Sequence, residues 1–188
     1  HTLKPRGPGE EPLGDPMEIA LHTTALQALG AWQPLERIDL LPFDTRRRRL
    51  SVVVRLGDAQ QLESKGAVEY LLPLCSAIQR NGTTEPLEEA ERKRILAAQE
   101  NAADRGLRVL AFATRVIPAS LARERYEEDL VFTGLAALED PPRPDVQEAI
   151  RRCQQASIRV CMVTGDHPRT ALAIARQIGL VRGPAPRV

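Results

Sequence analysis

The chain has 188 residues, of which 43% are hydrophobic and 27% charged, and its 26 Lys plus Arg against 25 Asp plus Glu leave a net charge of +1. That length suits one domain or one and a fraction, and so small a charge excludes a global pull toward nucleic acid or anionic membrane, so recognition of phosphate has to be local. No run approaches the ~18 apolar residues that span a bilayer, and no charged-then-apolar leader opens the sequence.

Arginine dominates the cations, since lysine occurs only as Lys4, Lys65 and Lys93. Cys75, Cys153 and Cys161 are odd in number, lack metal-ligand spacing and have apolar neighbours. They are expected to be buried free thiols of a reducing cytosol, with no metal site.

In chain order, residues 1–13 carry prolines and glycines without periodicity and read as a tail. Asp15 opens a helix: it suits the N-cap, Pro16 suits the first helical position and Glu18 stands three residues after the cap. Ile19, Thr23 and Leu26 share a face of that helix, and Gly30 ends it. Residues 35–41 and 50–56 read as strands around a polar turn, and Gly57-Asp58 turns the chain back into a strand over 60–65, an antiparallel hairpin. Residues 67–78 read as helical with a break at Pro73. Asn81-Gly82 marks a turn, 88–105 a helix closed by Gly106, and 107–113 and 130–138 two further strands around a polar loop or short helix.

Asp140-Pro141-Pro142-Arg143-Pro144 is the clearest boundary, because its prolines favour a stiff, extended connection. After it the pattern becomes α, β, α. Val146, Ile150 and Cys153 stripe the first helix, and the apolar β-branched run over 158–163 suits a covered parallel strand. A last helix follows, with Asp166 or His167 as cap, Pro168 in its first turn, Ala171, Ile174, Ala175 and Ile178 on one face, and Gly179 at its end. A turn such as Thr164-Gly165-Asp166, between strand and helix N-terminus, presents free backbone N–H groups to an anion.

Several residues carry candidate chemistry, each with a bland alternative. Phe43, beside Pro42 at the mouth of a turn, offers an aromatic face to a planar ligand, or packs in the core. Lys65 precedes Gly66, so an ammonium could reach a ligand where the backbone passes close; otherwise it is a solvated lysine. Glu18 has its capping role as a competitor. The arginines 46–49 alternate faces of a strand entry, so only about half can point one way, and with few aromatics a nucleic-acid patch is the weaker reading. Arg108 shares a strand face with Leu110 and Phe112 and needs an anion, a carboxylate or an outlet to water.

Taken in order, Gly14-Asp15-Pro16-Met17-Glu18, Pro42-Phe43-Asp44, Lys65-Gly66-Ala67-Val68-Glu69, Asp140-Pro141-Pro142-Arg143-Pro144 and Thr164-Gly165-Asp166 closely resemble the cytoplasmic segment of P-type ATPases of the calcium, magnesium and proton type. The resemblance runs from about Gly14 to Leu180. It implies an α+β fold, an antiparallel sheet flanked by helices, followed by a partial α/β haloacid-dehalogenase-like segment. The implied division is a flexible segment 1–13, a nucleotide-binding domain 14–139 lacking its first strand and helix, a hinge 140–144 and a piece of the phosphorylation domain over 145–188.

By resemblance Phe43 stacks on adenine, Glu18 accepts from the adenine amino group, and Arg48, Lys65, Gly66 and Arg108 surround the nucleotide. Asp140 and Arg143 belong to the hinge, while Thr164, Gly165 and Asp166 hold the transferred phosphoryl group. The implied cofactors are ATP and, in the whole pump, magnesium; the implied partners are the remaining phosphorylation, actuator and transmembrane domains, at a bacterial plasma membrane.

Two departures, Val68 for the usual proline and Met17 for a common threonine, remove no group that touches nucleotide. Neither Asp-Lys-Thr-Gly-Thr, with its phosphorylated aspartate, nor the magnesium-binding Gly-Asp-Gly-x-Asn-Asp occurs. The expectation is therefore a fragment that binds nucleotide without turning it over. The rivals are a stand-alone nucleotide sensor and a haloacid-dehalogenase-like phosphatase, whose Asp-x-Asp is absent.

Overall fold

The computed structural model describes residues 15–30, 35–139, 142–164 and 168–181, and the chain forms two compact units that divide after Arg37. In the first, helix α1 (Pro16–Leu29) starts as its sequence dictates: Asp15 is the N-cap and its Oδ1 accepts from the Met17 backbone N–H at 2.9 Å. Gly30 ends the helix at φ 70°, a conformation that costs glycine little.

The second unit is built on a seven-stranded sheet of order β1-β2-β3-β6-β7-β4-β5. Strand β1 (Arg37–Asp44) turns through residues 45–48 into β2 (Arg49–Leu56). Gly57 at φ 61° and Asp58 make the two-residue loop to β3 (Ala59–Gly66), and Leu56 pairs with Ala59. Strands β6 (Arg108–Ile117) and β7 (Leu130–Leu138) continue the sheet in antiparallel fashion. Apolar side chains from one face, Val53, Leu62, Ala111 and Ala113, join Leu71, Leu130 and Phe132 in a buried core. Helix α3 (Glu89–Asp104) covers this core through Ile95, and Gly106 closes its end at φ 82°.

One expectation fails between residues 67 and 78. Only α2 (Val68–Leu71) and a tight turn through Leu74 are helical, after which β4 (Cys75–Arg80) forms a hairpin with β5 (Thr83–Pro86) around Asn81-Gly82. Pro73 lacks the N–H that a continuing helix needs, and the freed chain pairs instead with β7. That pairing is parallel, so the sheet is mixed rather than wholly antiparallel. Arg92 of α3 secures the junction by donating to the Leu72 carbonyl at 2.8 Å and to that of Cys75.

After residue 142 the chain forms α4 (Val146–Gln155) and α5 (Pro168–Gln177). Gln147 and Gln154 donate to the carbonyls of Gln177 and Gly179, tying the helices together, and α5 packs against the end of α3. The strand expected over 158–163 does not form: this segment is unpaired, and Ile158 and Val163 are 57% and 96% exposed. An apolar run becomes a strand only where neighbouring strands take up its N–H and C=O groups, and no described strand does so here; Ile158 N–H instead donates back to the Cys153 carbonyl at 2.8 Å.

Of the three free thiols expected to be buried, one is, and two depart from that expectation. Cys75 is buried, Cys153 half-buried and Cys161 exposed. Burial pushes the Cys75 thiol up to about 12, an inert state for a thiol.

Candidate functional site

The β2-β3-β6 ladder aligns Leu50 with Lys65 and Lys65 with Phe112 across one face of the sheet. Arg108 lies four residues before Phe112 on β6 and so projects from that same face, which runs opposite to the buried row of Ser51, Ser64 and Ala113. Arg108 is exposed and thereby meets the outlet to water that an arginine on a strand requires.

Phe43 sits on β1, the edge strand, one residue from the turn, and Leu50 sits one residue past the turn on β2. Phe43 and Lys65 are therefore at the same end of the sheet, two strands apart, a backbone separation of roughly 10 Å. Phe43 is 60% exposed. An exposed aromatic in a chain with 3% aromatic residues is not spent on core packing.

Gly66 ends β3 where no side chain fits: a Cβ there would stand 2.6 Å from the Arg48 carbonyl oxygen and 2.6 Å from the Arg49 Cβ. This close passage also lets Ala67 N–H donate to the Arg48 carbonyl at 3.0 Å. Arg48 itself has φ 47°, and its guanidinium lies 5.4 Å above the centre of the Tyr70 ring. Arg48 and Arg108 both line a cleft of about 420 Å³, together with Glu69, Gln99 and, from α5, Pro168 and Thr170. Cations beside an exposed aromatic suit a planar ligand that carries several negative charges.

Glu18 lies in the first turn of α1, in the unit that ends at Arg37. Arg143 and Thr164 are exposed, the latter at the end of the extended run. Asp140, Gly165, Asp166 and the cap position His167 lie outside the described residues. Among the described residues no group of three His, Cys, Asp or Glu is placed to hold a metal ion, and no helix is long and apolar enough to cross a membrane.

The feature hidden from the sequence is Glu127. This buried carboxylate accepts from Arg47 Nη1 at 2.8 Å, from Arg49 Nη2 at 2.7 Å and from Ser51 Oγ at 2.7 Å. Burial alone raises its pKa, yet hydrogen bonds from Arg49, Ser51 and Arg47 outweigh that and hold it below the usual carboxylate range. Two of the four successive arginines are thus bound inward, and the sequence gives no local sign of it because the partners lie 78 and 80 residues away.

A family model described as P-type ATPase, cytoplasmic domain N, matches residues 2–145. The chain belongs to this family. It is 40% identical over 176 residues to a calcium-transporting ATPase of Bacillus cereus, a match covering 91% of this chain and 20% of that relative. A sodium/potassium exporting P-type ATPase of Schizosaccharomyces pombe is also 40% identical, over 89% of the chain and 17% of its own length. A magnesium-transporting P-type ATPase of Salmonella typhimurium is 35% identical over 86% of the chain and 18% of its own length. The chain thus spans about a fifth of the length of these curated relatives. The α+β class, with a sheet flanked by helices, agrees with the expected domain type.

Proposed function

We propose that this chain is the nucleotide-holding cytoplasmic part of a cation-transporting P-type ATPase, delivering ATP to an aspartate carried elsewhere in the same pump. The observation that carries the reading is the convergence of Lys65, Phe112 and Arg108 on one sheet face, at the end where Phe43 stands exposed. In this reading Phe43 stacks on adenine, Lys65 neutralises charge beside it, and Arg108 and Arg48 address the phosphates. Gly66 keeps the wall of the site low. Glu18 is assigned to the adenine amino group through the family motif alone.

In the proposed division residues 14–139 bind nucleotide, 140–144 form a hinge containing Asp140 and Arg143, and 145–188 are a piece of the phosphorylation domain. Thr164, Gly165 and Asp166 would then meet the phosphoryl group. Phosphoryl transfer asks mainly for positioning and charge neutralisation, which these residues are suited to supply. The remaining pump domains are the partners, and the bacterial relatives support a bacterial plasma membrane with this part on its cytoplasmic side.

The test is calorimetric titration of the 188-residue chain with ATP. A dissociation constant of ~10 μM to 1 mM is expected for a partly exposed site of few contacts. Because the proposed contacts are an aromatic ring and cations rather than magnesium ligands, chelating magnesium should change this little. No binding at millimolar ATP, or strict magnesium dependence, would overturn the assignment.

A further inference from the structure

We infer that Glu127 is a positioning residue for this site: its grip on Arg47 and Arg49 fixes the turn that aims Arg48 into the cleft. The inference rests on the nucleotide-binding reading above.

Arg48 has φ 47°, a left-handed conformation that a non-glycine residue keeps only when its surroundings over-determine it. Its two neighbours supply that constraint. Arg47 Nη1 meets both oxygens of Glu127 at 2.8 Å, and Arg47 Nη2 donates to the Pro42 carbonyl at 2.6 Å, spanning the turn from side to side. Arg49 reaches the same carboxylate from the other flank of Arg48 at 2.7 Å. Asp44 completes the turn by accepting from the backbone N–H groups of Arg46 and Arg47 at 2.8 and 2.9 Å.

With the side chains of residues 47 and 49 held by Glu127, the left-handed turn at Arg48 leaves its own side chain over Tyr70 and lining the cleft with Arg108. Remove the Glu127 charge and two guanidinium groups remain close together without their shared anion. Their repulsion acts on the residues either side of Arg48, so the turn loses the geometry that presents it. Glu127 acts through Arg48 and touches no nucleotide itself. The loop that carries it is fastened to the β1-β2 hairpin a second time, by Arg123 on Asp39 at 2.6 Å and on the Leu40 carbonyl at 3.1 Å. That second attachment lets the loop keep its place when the Glu127 charge alone is removed.

The experiment is a double-mutant cycle on the full chain, with ATP affinity by calorimetry and thermal melting in parallel. Glu127→Gln, nearly isosteric, should weaken ATP about fivefold, and in an Arg48→Ala background the same change should have almost no further effect. Glu127→Asp should restore part of the affinity. A purely structural role would lower melting while leaving affinity unchanged, or would add to Arg48→Ala undiminished, and either result overturns the inference. If Glu127→Gln does not fold, Arg47→Gln, whose side chain is 30% exposed, takes its place with the same expectations. If Phe43→Ala and Lys65→Ala also leave ATP binding unchanged, the nucleotide reading itself fails; if they weaken it while the cycle is additive, only the role of Glu127 fails.

Discussion

The α-carbon of Gly66 passes so close to Arg48 that an added Cβ would stand 2.6 Å from its carbonyl oxygen. That atom is backbone, and it already accepts the Ala67 N–H, so the contact cannot be relieved by a side-chain rotation. Gly66→Ala should therefore destabilise the chain by about 1–3 kcal/mol, as overpacking does. It should also weaken ATP binding by displacing Arg48. Chemical denaturation alongside an ATP titration checks both, and wild-type values for both would contradict the close approach.

Phe43 gives the opposite pairing of effects. The residue is 60% exposed, so truncation removes little buried surface. Phe43→Ala should melt within a few degrees of wild type yet lose roughly 1–3 kcal/mol of ATP binding, the scale of base–aromatic stacking. Unchanged affinity in a folded Phe43→Ala would remove the adenine assignment.

Lys65→Ala should also weaken ATP, because Lys65 shares its face with Arg108 and Phe112. Arg159→Ala is the matched loss of a cation and should not, since Arg159 lies in the unpaired run far along the chain from the β2-β3-β6 ladder. Equal losses in the two variants would point to general electrostatic attraction instead of a site.

Glu127 makes stability depend on pH. Its carboxyl titrates below the usual range when folded, so its contribution is present above the unfolded value of about 4.3 and is lost as the pH falls through the lower folded value. Melting temperature should drop through that acidic window, and less steeply in Glu127→Gln. Glu127→Ala at neutral pH should cost about 3 kcal/mol, because it strands two arginines that are 30% and 15% exposed. A variant whose melting falls with acid as steeply as wild type would deny Glu127 that role.

The extended run over 158–164 should be the least protected apolar segment, since no strand among the described residues pairs with its N–H groups. Hydrogen exchange should label it well before β3 and β6, which lie inside the sheet. Protection equal to that of β6 would require a partner strand.

Local chemistry determined much of this protein from sequence alone. Asp15 and Gly30 bound α1, Gly57-Asp58 and Asn81-Gly82 turn hairpins, and Gly106 stops α3, each because a cap or turn depends on residues only a few positions apart. The ordered motifs likewise pointed to the family and to the sheet-and-helix class. Contacts distant in sequence left no such mark. Cys75–Arg80 became a strand because β7 lies beside it, and residues 158–163 form none because no strand among the described residues pairs with them, although their own pattern reads as a strand. Glu127 is one acid among 25 acidic residues until the fold carries it across 78 residues to Arg49. A side chain's charge is written in the sequence, but the partner that turns it toward the core or the cleft is chosen only when the sheet closes over it.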